Sequence, residues 1–238
     1  MARINPNMAQ RSGIKSHLKH LVLPPGNAPR TIRAGLLAGL HMDIDFANHA
    51  QLWLGLEERE LLSWFRTLSD GICTAIDVGA NVGIYTLYFL AKTAAEKVLV
   101  FEPSRQNLLS LERNLALNQL TSDHRLEIVQ KFVGSHTAKE WVALDIFSEG
   151  IAKPCLVKVD VDGGEVELLR GAERVLHSPQ VRWIIEVHSK ELEEQCLTIL
   201  QEARYRVILV RNAWWRYFLP EMRPIELNRW LVAVPAGL

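Results

Sequence analysis

Gly79-x-Asn81-x-Gly83, Glu102, Asp160 with Asp162, and Glu186 with His188 are the residues whose types and spacing suit chemistry. A glycine turn lets the backbone approach a ligand closely, because a Cβ would collide with it. Asp77 stands just before that turn, where it can draw in a cationic group. Glu102 follows the apolar run Val98–Phe101, and an acid at such a strand end can accept both hydroxyls of a ribose. The other four offer oxygen and nitrogen atoms for proton transfer, or for Mg²⁺ or Mn²⁺. Imidazole is the side chain whose ordinary titration lies nearest neutral pH. His188 is therefore the first choice of base and Asp160 the second; Asp160, Asp162 and Glu186 are the expected metal ligands, beside His188.

Apolar patterning supplies the elements that must position these groups. Ala75–Val78 reads as a buried strand, and Ile84, Leu87, Tyr88 and Leu90 then repeat at helical spacing. Further strands are expected at Val98–Phe101, Leu126–Val133, Leu156–Asp160, Trp183–Val187, Tyr205–Val210 and Trp230–Val234. Helices are expected at Leu56–Leu68, Ser104–Asn118, Glu165–Leu176 and Leu192–Ala203, after a hairpin from Thr31 to Phe46. The sum is an α/β protein with a doubly wound, Rossmann-like, seven-stranded sheet and an N-terminal hairpin and helix extension. In such a sheet the first, fourth and fifth strands are central neighbours, and ligands bind outside their carboxyl ends. Asp77, Asp160, Asp162, Glu186 and His188 then converge on one rim. Charges are seldom buried unpaired, so packing alone is a poor account of them. By position, Gly134-Ser135-His136 should border a bound adenine.

The turn does not meet the dinucleotide pattern, since Asn81 takes the middle position, and no Lys-Ser or Lys-Thr makes it a phosphate loop. An NAD-linked oxidoreductase is thereby disfavoured. The 27 basic and 27 acidic residues balance, which predicts no general affinity for nucleic acid. No apolar stretch is long enough to span a bilayer. Residues 1–29 form a basic arm broken by prolines, ahead of one domain over 30–238. Residues 1–33 hold six Lys and Arg and no acid, so Arg11–Leu23 could lie on a membrane surface as an amphipathic helix. Cys73, Cys155 and Cys196 are widely spaced, which fits a reducing, cytoplasmic setting better than a disulfide framework, and Cys73 and Cys155 lie in apolar runs that suit core packing.

The strings D-V-G-A-N-V-G-I-Y-T, from Asp77, and F-E-P-S, from Phe101, resemble the class I S-adenosylmethionine-dependent methyltransferases. K-V-D-V-D-G-G-E-V-E-L-L-R-G-A, from Lys158, and E-V-H, from Glu186, narrow the resemblance to the FkbM-type family. Asp162 stands where that family usually has Glu, and the region before the fourth strand is short, with only Thr137–Pro154 in it. The resemblance implies S-adenosylmethionine held by Asp77, Gly79, Asn81, Gly83, Thr86 and Glu102. It also implies a small-molecule acceptor with a hydroxyl, such as a sugar, glycolipid or polyketide, near Asp160 and His188. A non-catalytic protein that binds the cofactor or a partner is the alternative from another class. Asn212–Phe218, with four aromatics, either floors the acceptor or covers the core.

Overall fold

The computed structural model describes residues 26–218 and 229–237; the stretch Arg11–Leu23 lies outside them. The chain divides into two compact units, Met1–Glu57 and Glu58–Leu238.

In the first unit, β1 (Asn27–Thr31) and β2 (His41–Asp45) pair antiparallel. The connection turns through Gly35 and Gly39, both at positive φ. The first strand precedes the expected Thr31 start and takes in Asn27–Pro29 of the basic stretch. Helix α1 (Phe46–Leu54) follows, where no helix was expected; the period-two run Met42–Phe46 obscures its start. A Cβ on Gly35 would come within 2.9 Å of the Gly55 Cα, so these glycines allow two backbones to touch. Arg30 and Arg33 lie over the rings of Phe46 and Trp53.

The second unit opens with a 3₁₀ turn, Arg59–Leu61, before α2 (Leu62–Leu68). The expected helix from Leu56 is thus shorter, because Glu58 sits in the left-handed region at φ 42° and cannot continue one. Next come β3 (Thr74–Val78), α3 (Ile84–Lys92), β4 (Lys97–Phe101), α4 (Arg105–Leu117) and β5 (Leu126–Val129). Ser104 caps α4 by accepting from the Asn107 amide. The third strand ends at Val129 rather than Val133: Phe132–Val133 turns away as β6 and pairs with β7 (Trp141–Val142). A 3₁₀ segment, Leu144–Gly150, leads to β8 (Cys155–Val159).

The single helix expected over Glu165–Leu176 is two, α5 (Glu165–Arg170) and α6 (Glu173–Leu176). A Cβ at Gly171 would lie 1.9 Å from the Gly134 carbonyl, and the Gly171 carbonyl accepts from the Asp145 amide. The carboxylate of Asp145 then accepts from the amides of Arg174 and Val175, which starts the second helix. The chain closes with β9 (Val181–Val187), α7 (Lys190–Glu202), β10 (Tyr205–Val210) and β11 (Arg229–Pro235).

The seven-stranded sheet has the order β10-β11-β9-β8-β3-β4-β5. β9, β8, β3, β4 and β5 are parallel, and β11 is antiparallel to both β9 and β10. The doubly wound sheet read from the sequence is therefore present, with the first, fourth and fifth of its strands adjacent. One face carries Ile76, Val78, Phe101, Val157, Val159, Trp183 and Ile185 against Leu168, Leu169, Cys196 and Leu200 of the helices. Alternation puts Asp77, Lys158 and Glu186 on the other face, where Asp77 stands opposite Lys158 in the register. All three are buried.

Candidate active site

A cleft of about 790 Å³ opens at the carboxyl ends of β3, β4 and β8, with His188 from the end of β9. This is the switch point of the sheet. Val78, Phe101, Val133 and Val161 make its apolar walls; Asn81, Glu102, Asn107, Asp160, Asp162 and His188 supply polar groups. That size suits a drug-sized or cofactor-sized ligand.

The glycine turn is fixed by sterics. Gly79 has φ +80°, and a Cβ there would lie 1.9 Å from the Asp160 carbonyl. Only glycine lets β3 and β8 end so close together. Asn81 is also left-handed, at φ 50°, which aims its amide at Glu102 Oε2, 2.8 Å away. Glu102 Oε1 accepts from the Ser104 amide at 2.9 Å and Asn107 Nδ2 at 3.1 Å. Three of the roughly four acceptor positions of the carboxylate are thus taken by the protein. Glu102 is held rigidly at the cleft wall, with capacity for a further donor on Oε2.

Asp77 and Thr86 are placed differently. Both are buried, and neither lines the cleft. Thr86 Oγ1 donates to Asp77 Oδ2 at 2.6 Å, so the pair braces the turn from beneath. Burial pushes the Asp77 carboxyl up to about 6, against the opposing pull of the Thr86 hydroxyl and Lys158. Gly83, at φ +91°, packs on Leu111 at the start of α3.

Beside Asp77 lies Lys158, with no exposure at all. Its ammonium is 3.5 Å from Glu186 Oε2 and 3.9 Å from Asp160 Oδ2, and 4.9 Å from the Tyr85 ring centroid. Burial alone would lower its pKa, but the carboxylates of Asp160, Glu58, Glu186 and Asp77 outweigh that and raise it. The Tyr85 hydroxyl donates to Glu58, so the turn before α2 closes this buried network. Sequence reasoning passed over Lys158, Glu58 and Tyr85. The signal for Lys158 was available: a cation in the otherwise apolar run Cys155–Val159 of a central parallel strand demands a partner.

His188 is the meeting point of the acids. Its Nδ1 is 2.6 Å from Glu165 Oε1. Its Nε2 is 3.4 Å from Asp162 Oδ1, 3.5 Å from Asp160 Oδ1 and 3.7 Å from Glu186 Oε1. Glu165, which reads in sequence as a favourable charge at a helix start, is fully buried and orients the imidazole.

Gly134, Ser135 and His136 do not line the cleft; Lys131, Phe132, Val133 and Trp141 do. The cause is the early end of β5, which lets β6 and β7 bring Phe132 and Trp141 into a stacked pair at 4.9 Å. The aromatic segment does not cover the core: Trp214, Tyr217 and Phe218 are 80%, 88% and 72% exposed. It is anchored instead by Arg216, whose guanidinium donates to both oxygens of Glu60 at 2.9 and 2.8 Å.

Residues 123–207, about a third of the chain, match the family profile described as Methyltransferase FkbM domain. Over 47 residues the chain is 45% identical to Methyltransferase sdnD of Sordaria araneosa, a stretch of 20% of this chain and 18% of that one. The crystal structure of Methyltransferase FkbM from Methylobacillus flagellatus KT shares the fold, with TM-score 0.54 and 21% identity over 68% of this chain. An rRNA methylase from Streptococcus thermophilus does so with TM-score 0.51 and 14% identity, over 74% of this chain and 95% of that one. The chain spans 43% of the Methylobacillus protein and under a fifth of the Sordaria one. The segment that resembles the FkbM methyltransferase domain runs from before β5 into β10 and includes Asp160, Asp162, Glu165, Glu186 and His188, so the likeness falls on the acids gathered around His188, while the solved structures share the fold of the sheet.

Proposed function

We propose that this chain is an S-adenosylmethionine-dependent methyltransferase acting on a hydroxyl oxygen of a small molecule: a sugar, a glycolipid or a polyketide. The observation that carries the cofactor is Glu102, pinned at the end of β4 by Asn81, Ser104 and Asn107 while it faces the cleft. Its remaining acceptor position suits one ribose hydroxyl. The residues at the cleft fit the group: Glu102 for the ribose, the Gly79–Gly83 turn for the methionine end, and Phe132 with Trp141 for a planar base. When bound, S-adenosylmethionine supplies a methyl group already activated on a sulfonium.

What the protein must add is alignment of the acceptor and a place for its proton. Asp160 and His188 face the cleft from neighbouring strand ends, and the acceptor hydroxyl is placed against them. The acids around them, Asp162, Glu165 and Glu186, disfavour a phosphorylated or otherwise anionic acceptor. The same carboxylates suit Mg²⁺ or Mn²⁺, which would acidify the acceptor hydroxyl.

Calorimetric titration with S-adenosylhomocysteine tests the reading. Micromolar binding is expected for the wild-type protein. Glu102→Ala should weaken it by about 1.5–3 kcal/mol, the worth of a hydrogen bond to a charged group. Absence of binding to the wild-type protein would remove the methyltransferase reading. Neutral polyols should then accept methyl in preference to their phosphate esters, and the reverse order would overturn the acceptor class.

A further inference from the structure

The geometry points to a divalent-cation site of the Mn²⁺ type formed by His188 Nε2, Asp160 Oδ1 and Glu186 Oε1, with Glu165 and Lys158 orienting its ligands. It deepens the methyltransferase reading, on which its catalytic meaning rests, by making His188 a ligand rather than a free base.

The three ligand atoms lie within 4.8 Å of one another. His188 has only 7% of its side chain exposed, and its Nε2 has no hydrogen-bond partner. Separations of 3.5 and 3.7 Å from Nε2 to the Asp160 and Glu186 carboxylates are too long for N–H···O bonds, which run to about 3.2 Å. They fall within the range that a coordination shell spans: bonds of about 2.1 Å to one ion put neighbouring ligand atoms about 3 Å apart and opposite ones about 4 Å apart.

Both ends of the cluster are oriented for that role. Nδ1 of His188 is 2.6 Å from Glu165 Oε1, and a carboxylate there takes the Nδ1–H and leaves the Nε2 lone pair pointing inward, as ligating histidines require. With Nε2 unprotonated and no cation between them, that lone pair would face carboxylate oxygens, which is repulsive. Lys158 lies on Glu186 Oε2 and Asp160 Oδ2, so the other oxygen of each carboxylate is the one turned toward His188. One imidazole with two carboxylates fits Mn²⁺ better than Mg²⁺, which prefers oxygen alone. Asp162, whose side chain is 87% exposed, stays outside the ligand set, in contrast to the set of Asp160, Asp162 and Glu186 expected from sequence.

Titration of MnCl₂ into the full chain, followed by loss of the free-ion EPR signal, tests this without acceptor or cofactor. One site is expected, weakened more than tenfold in His188→Gln and in Asp160→Asn. Glu165→Gln should weaken it about 10–100-fold, the usual cost of losing an outer partner, and Asp162→Ala by less than threefold. Thermal melts identify any variant that has not folded, and His188→Asn then replaces His188→Gln. No binding to the wild-type protein at millimolar Mn²⁺, or binding unchanged by His188→Gln, overturns the site; the latter would mark adventitious surface carboxylates. S-adenosylhomocysteine binding, which depends on Glu102, reports separately, so either reading can fail while the other stands.

Discussion

Lys158→Met is expected to lower the free energy of unfolding by about 3–5 kcal/mol, the cost of removing one partner from a buried charge pair. Methionine approximates the lysine stem, so the packing of the strand is retained and the loss is electrostatic. Glu186 shares the pair at 3.5 Å with both side chains fully buried, and Asp77 and Asp160 lie close enough to act on the same ammonium. With the cation gone, these carboxylates must either ionise in an apolar interior or remain protonated, and each outcome costs free energy. Urea unfolding of Lys158→Met and of Lys158→Met/Glu186→Gln checks this. The second substitution removes one of the stranded charges, so the double variant should be more stable than Lys158→Met alone. A double variant less stable than Lys158→Met would mean that Glu186 has another role in the fold, and a loss below 1 kcal/mol in the single variant would show the pair to be solvated.

That buried network also marks where the sequence stopped being legible. The sheet was readable because its strands are short apolar runs, most of them ending at a charged residue, a histidine or a glycine, and because α4 and α7 carry serine caps and regular periodicity. The breaks were not. Gly171 interrupts a helix on account of the Gly134 carbonyl, a residue 37 positions away; β5 stops early so that Phe132 can pair with Trp141. Both depend on contacts that no local pattern encodes. At the site the acids on the rim were legible by residue type, and the structure brings Asp160, Asp162, Glu186 and His188 together. Their division of labour was not legible. Asp77 read as a ligand contact from its place before the glycine turn and Thr86 from the family resemblance; the structure bonds the two to each other beneath the turn. Glu165 read as a helix-end charge, yet it sets the orientation of His188. Which face a side chain takes, and what it meets there, is decided by register across strands far apart in the chain.

Asp77→Asn is expected to stabilise the protein at pH 7.5 by about 2–2.5 kcal/mol relative to its effect at pH 4, following the conversion of about 1.4 kcal/mol per pKa unit. The carboxyl is raised from 3.8 to about 6 in the folded chain, burial being the largest cause. Between those values the folded state holds a proton that the unfolded state has released. The contribution of a neutral Asp77 is therefore fully present below about pH 4 and is lost as pH rises through about 6. Asparagine cannot ionise and keeps that contribution throughout. Its carbonyl can accept from Thr86 as the carboxylate does, and its amide stands where Oδ1 lacks a hydrogen-bond partner. Any fixed cost of that amide is present at every pH, so the readout is the change in the stability difference, variant minus wild type, from pH 4 to 7.5. A difference that stays flat would show the folded carboxyl titrating as the unfolded one does, with Lys158 offsetting the effect of burial. A falling difference would mean that the folded-state pKa lies below 3.8, which the burial of Asp77 makes the least favourable outcome.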